Sequence, residues 1–91
     1  MKYDTIITNA DVVTESGIQS VDVAVNDGRI AALFERGTAI DAREVIDASG
    51  QLLLPGAIDI HWHCRAPAYP ARGDFATETR AAAAGGVTTV F

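Results

Sequence analysis

Residues 52–65 read LLLPGAIDIHWHCR. An apolar run breaks at Pro55-Gly56, resumes at Ala57-Ile58, and then sets Asp59, His61 and His63 at every second position. Side chains alternate across an extended strand, so these three polar residues share one face, and Ile58, Ile60 and Trp62 share the other. Positions two apart along a strand stand about 6 to 7 Å from each other, near enough for two imidazoles to turn toward one cation. Zinc takes imidazole nitrogen at about 2.0–2.1 Å. Both histidines of the chain fall in this pair. In parallel α/β sheets, ligands bind at the carboxyl ends of strands, and the H-x-H pair closes this one. The reading is a metal-ligand pair, His61 and His63. Asp59, one step deeper, is placed to orient a histidine or to shape the charge of the pocket.

Downstream, CRAPAYPARG (residues 64–73) carries two prolines and a glycine and reads as a loop. DFATETRAAAAGG (residues 74–86) reads as a helix with Asp74 as N-cap and Gly85 or Gly86 as its stop. Its alanines favour helix and let it lie close to a sheet. VTTVF (residues 87–91) reads as a second buried strand. Strand, loop, helix and strand in this order make a βαβ unit, so the two strands are expected to be parallel. By strand parity Cys64 points away from the histidines and Trp62 packs toward the helix side. Arg72, Asp74, Glu78 and Arg80 read as the solvated start of the helix.

Upstream, the pattern is that of short strands and turns. In SVDVAVNDGRIAALF (residues 20–34), Val21, Val23 and Val25 alternate with Asp22, Ala24 and Asn26. Asp27-Gly28 then turns the chain and Ile30 to Phe34 return, a hairpin signal because glycine accepts positive φ without a steric cost. YDTIITNADVVT holds two apolar pieces separated by Asn9, Ala10 and Asp11, and EVIDASG and QLLLPG continue in the same style. This half reads as a small antiparallel β unit.

Composition excludes several classes of function. Ninety-one residues with 48% hydrophobic content suffice for a real core. A formal net charge of −5 argues against nucleic acid as a partner, since that needs a basic surface. One cysteine, Cys64, cannot form an internal disulfide, which fits a reducing compartment. The start, MKYDTIITNADVV, lacks the unbroken apolar core of a signal peptide. Nothing approaches the roughly 18 apolar residues of a membrane span. A cytoplasmic chain with no membrane and no nucleic-acid partner is expected.

Taken together, LLLPGAIDIHWH and TRAAAAGGVTTV resemble the amidohydrolase superfamily, in its branch of dihydroorotases, allantoinases and hydantoinases. The first segment matches that family's Pro-Gly, Asp and H-x-H on the first barrel strand, and the second matches its first helix and second strand. The β-rich start with NDGRIAAL is similar to the small β domain that precedes those barrels. The resemblance spans essentially the whole chain. It implies an α/β fold: an amino-terminal β-sandwich portion over residues 1–52, followed over residues 53–91 by the first β-α-β of a TIM-like (β/α)8 barrel. It implies a hydrolase of a cyclic amide or ureide with one or two divalent metals, usually zinc, and a homo-oligomeric parent. Water activated by the metal attacks the ring carbonyl carbon while the metal polarises its oxygen.

Carried onto this chain, the resemblance makes His61 and His63 ligands of the more buried metal, with His63 also beside the substrate. Arg65 follows them in the H-x-H-x-R position that holds a substrate carboxylate in dihydroorotases, where a guanidinium gives bidentate geometry. RAPAYP departs from the Glu-Pro-Gly that follows that arginine in dihydroorotases, which leaves allantoinase-like and hydantoinase-like substrates open. The family's bridging lysine, two further histidines and proton-shuttling aspartate lie on later strands. This chain offers only Lys2 as a lysine and only the two histidines. The expectation is the amino-terminal piece of a longer enzyme, inactive by itself. A non-catalytic scaffold relative is the competing expectation, and such relatives typically lose the ligands that are present here.

Overall fold

The computed structural model describes residues 2–64 and 74–91. The chain divides into two units, Met1–Leu54 and Pro55–Phe91. Along the first run β1 (Tyr3–Thr8), β2 (Asp11–Thr14), β3 (Gly17–Gln19), β4 (Val21–Asn26), β5 (Arg29–Glu35), β6 (Ala42–Asp47) and β7 (Leu52–Leu53). They form one sheet in the order β5-β4-β1-β6 and another in the order β3-β2-β7. The Asp-Gly turn is where the sequence places it. Asn26 pairs with Arg29, and Asp27 and Gly28 take φ of 52° and 72°. Positive φ at both loop residues matches the right-handed twist of the flanking strands.

The expected antiparallel unit is corrected by two parallel pairs. β6 lies parallel to β1, and β7 lies parallel to β2. After the hairpin the chain returns alongside its own start, and the two paired segments then leave the first sheet together for the second. Asn9, at φ 65°, makes one corner; Gly50, at φ 76° in the Ala48–Gln51 turn, makes the other. Asparagine and glycine are the residues that enter this left-handed region most readily. The corners are tied to each other by the Ala48 amide donating to the Thr8 carbonyl at 2.8 Å and the Asp11 amide donating to the Gln51 carbonyl at 3.1 Å. Between the sheets, Ala10, Val12, Val23 and Ala48 form a buried cluster, flanked by Ile7, Val21, Val25 and Leu53. Both sheets contribute to this one core, in the manner of a small sandwich.

Asp22 lies on the face of β4 opposite Val21, Val23 and Val25. It is only 3% exposed. Its carboxylate accepts the Asn9 amide at 3.1 Å and the Gly37 amide at 3.3 Å. Arg36, next to Gly37, donates to the Ala10 carbonyl and to Asp11. β4 is a central strand covered on both faces, and a buried carboxylate persists there because two backbone donors meet it.

The second unit consists of β8 (Ala57–Asp59), α1 (Phe75–Ala84) and β9 (Val87–Val90), with β8 and β9 parallel as expected. Helix α1 starts at the expected cap. The Asp74 carboxylate accepts the Thr77 amide at 2.8 Å, and the Thr77 hydroxyl accepts the Asp74 amide at 2.9 Å, which closes a capping box. It ends at Gly85, whose amide donates to the Ala81 and Ala82 carbonyls, and Gly86 follows at φ 91°. Asp74 and Arg80 are exposed and Glu78 is half-buried; Arg72 lies outside the described residues. The expectation of a buried second strand is corrected. Val87 and Val90 are half-buried, Thr88 and Thr89 are exposed, and Phe91 is 75% exposed. A single helix beside a two-stranded sheet does not provide enough apolar surface to cover it. No described helix is long and apolar enough to cross a membrane.

Candidate metal centre

The histidine pair is placed by the ladder between β8 and β9, and that ladder is irregular at both ends. Ala57 pairs with Val87, but the next pair is Ile58 with Thr89, so Thr88 is an extra residue on β9. Beyond Asp59 the irregularity changes sides. The Phe91 amide donates to the Asp59 carbonyl at 3.0 Å, while the Phe91 carbonyl accepts from Trp62 at 3.3 Å. A regular parallel ladder would supply that second bond from the residue two beyond Asp59; here it comes from three beyond. Ile60 and His61 therefore share a place meant for one residue, a bulge on the β8 side.

This bulge corrects the expected strand over residues 57–62. β8 ends at Asp59, and His61 and His63 follow it rather than sit on it. Asp59 does not reach an imidazole. Its carboxylate accepts the backbone amide of His61 at 3.1 Å and fixes the turn from which the pair emerges. The rings nevertheless converge, with centroids 4.9 Å apart and planes at 53°. Nε2 of His61 stands 2.9 Å from Nε2 of His63. Two nitrogens at this separation both lie within about 2.0–2.1 Å of a common point, and a tetrahedral site would ask them to open to roughly 3.3 Å. Imidazole nitrogens so placed fit a divalent ion as two of its ligands.

The rest of a coordination shell is not found among the described residues, which hold no group of three or more His, Cys, Asp or Glu side chains able to take a metal. Cys64 is half-buried beside His63 and joins no such group. Trp62 is half-buried, and Arg65 falls outside the described residues. One participant escapes a reading by residue type. A Cβ on Gly56 would overlap the side chain of Thr88, coming within 2.6 Å of the Thr88 Cβ. The sequence marks Pro55-Gly56 as a break; the structure shows the glycine as a recess for the extra residue of β9. No signal in the local sequence announces it, because Thr88 lies on another strand.

No family model matches the chain. An allantoinase of Escherichia coli is 43% identical over 90 residues, which cover 99% of this chain and 19% of the relative. Among solved structures, the L-hydantoinase (dihydropyrimidinase) of Arthrobacter aurescens superposes with a TM-score of 0.87 at 35% identity, over 97% of this chain and 20% of that one. The homologues of this chain are amidohydrolases. It spans about a fifth of the length of the curated relatives it matches. A further amidohydrolase neighbour, the N-acyl-D-glutamate deacylase of Bordetella bronchiseptica, has a TM-score of 0.74 at 37% identity over 99% of this chain and 18% of that one. It was solved with zinc and a phosphonate that mimics the tetrahedral intermediate of its reaction. Zinc is thus bound by a neighbour whose fold matches nearly the whole of this chain.

Proposed function

We propose that this chain is the amino-terminal part of a metal-dependent amidohydrolase that opens a cyclic ureide ring, with His61 and His63 as two ligands of its metal. The convergence of the two Nε2 atoms to 2.9 Å carries the reading. The 43% identity to an allantoinase and the 35% identity to a hydantoinase support hydrolysis of a ring C–N bond, with a ureide or hydantoin as the ring. The missing Glu-Pro-Gly after Arg65 supports the same choice. In this proposal β8, α1 and β9 are the first β-α-β of a (β/α)8 barrel, and residues 1–52 belong to the small sandwich domain before it.

Zinc is the proposed ion; when bound, a divalent metal lowers the pKa of water toward about 7 and polarises a carbonyl oxygen. The chain's own residues provide the setting. His61 and His63 present ring nitrogens whose Nε2 atoms stand 2.9 Å apart just beyond the end of β8. Asp59 holds the His61 amide and so fixes the first of those residues. Arg65, next but one after His63, is proposed to hold a carboxylate of the substrate, where the ring carries one, through paired donors. The test is an assay of the purified whole protein with zinc against allantoin, a 5-substituted hydantoin and dihydroorotate. Ring opening of allantoin or the hydantoin, lost in His61→Ala, is the expected result. Turnover of dihydroorotate alone would overturn the substrate choice, and metal-independent turnover would overturn the mechanism.

A further inference from the structure

The two irregularities of the β8–β9 ladder compensate each other. Ala57 with Val87 sets one register; Thr88 shifts it by one residue for Ile58 and Asp59; the Ile60-His61 bulge shifts it back before Trp62 bonds to Phe91. If Thr88 were an ordinary ladder residue, Ile58 would pair with it, the register set by Ala57 would continue, and His61 would fall directly opposite Phe91. H-x-H would then lie in a plain pleated strand, with its two side-chain origins held about 6 to 7 Å apart. The extra residue on β9 is matched by an extra residue on the β8 side, just where the convergent pair leaves the sheet. That extra residue is His61 or its neighbour.

Thr88 lies directly against Gly56. The space a Cβ would need at position 56 is filled by the Thr88 side chain. Directly after Gly56, the Ala57 amide donates to the Gly86 carbonyl at 2.9 Å and anchors the register on the other side of the bulge. We propose that Gly56 and Thr88 act together as positioning residues for the metal pair, a recess and plug that fix the register from which His61 and His63 leave the sheet. This inference rests on the proposed role of the two histidines as metal ligands. Neither Gly56 nor Thr88 touches the metal or the substrate in it.

Two single variants and their combination test it in the whole enzyme. Gly56→Ala fills the recess and expels the plug; Thr88→Gly removes the plug without any clash; the double variant places the methyl group where the threonine was. Metal affinity is read by chelator competition, and ligand geometry by the visible spectrum of the cobalt(II) form, alongside thermal unfolding. Residues that orient metal ligands typically affect affinity by about 10- to 100-fold. Each single variant is expected to lose about tenfold in affinity and to change the cobalt spectrum, and the double variant is expected to recover most of both. A folded single variant with wild-type affinity and spectrum overturns the inference, as does a folded double variant that recovers neither. Should Gly56→Ala not fold, Thr88→Gly decides the question by itself. His61→Ala is the control that separates the two claims. Retention of metal there refutes the ligand assignment, whereas loss there with unchanged Gly56 and Thr88 variants refutes only the positioning role.

Discussion

His61 and His63 are exposed and adjacent in space, with their Nε2 atoms 2.9 Å apart, and as the proposed metal ligands each would depend on the other. Replacing either with alanine leaves one imidazole, which holds zinc poorly. Metal analysis of the whole enzyme should show most of the ion gone in either variant, with hydrolysis abolished; wild-type metal content with near-normal turnover would refute the pair. Arg65 yields a second expectation. Lysine cannot offer the paired donors of a guanidinium, so Arg65→Lys should weaken carboxylate-bearing substrates more than neutral rings. Loss of one charge-assisted bond corresponds to about 1.5–3 kcal/mol, roughly ten- to a hundredfold in affinity. Equal losses on both substrate types would show instead that the change disturbs the loop. The nearness of the two histidines was legible in the sequence, because they stand two residues apart. Their geometry was not. The bulge that turns His61 depends on Thr88, and no local pattern around residue 61 contains that information.

Among the elements, α1 depends visibly on its cap. The Asp74 carboxyl sits below its ordinary value of 3.8, chiefly through the Thr77 amide and then the Thr77 hydroxyl. A folded pKa below the unfolded one means the contribution is fully present above 3.8 and is lost as pH falls through the lower folded value. Circular dichroism of the chain should therefore lose helix in that acid range. In Asp74→Ala the helical signal should already be reduced at neutral pH and should respond less to acid; an unchanged acid profile would assign the loss to other carboxylates. β4 supplies a sharper case. Asp22→Ala leaves the Asn9 and Gly37 amides without their acceptor, at about 0.5–1.5 kcal/mol for each of the two part-buried bonds. Denaturant unfolding should register a loss well above that of a surface substitution, while Asp27→Asn, in a turn that tolerates either residue, should be nearly neutral. Alternation separated the valines of β4 from Asp22 and Ala24 but did not reveal that both of these are buried too, because period two alone does not show that both faces of a strand are covered. The hairpin and the helix cap were legible since their chemistry is local. The parallel β1–β6 and β2–β7 pairs were not, since their partners lie far apart in the chain.

At the scale of the whole molecule, the second unit leaves Ile58 on β8, Phe75 on α1, and Ile60 and Phe91 just beyond the ends of β8 and β9 exposed. β8 and β9 cannot close a barrel between them, and unpaired strand edges invite association. The 91-residue chain by itself is expected to self-associate, to bind zinc weakly, and to open no cyclic amide. Sedimentation, zinc calorimetry and a ring-opening assay check the three points, and a monomer with one tight zinc and measurable turnover would refute them together. The first unit has a different consequence, which follows from the pairing of Tyr3 with Ala42 and of Asp11 with Leu52. A chain emerging from the ribosome carries β1 and β2 long before either has its parallel partner. The β4–β5 hairpin, whose contacts are local, can form within about 1–10 μs of its synthesis. The corners at Asn9 and Ala48 cannot meet until residue 51 is free, and closing so long a loop is the slow, entropically opposed step. Until then the amino terminus is a vacant strand beside a finished hairpin, and the timing of translation decides how long it stays so.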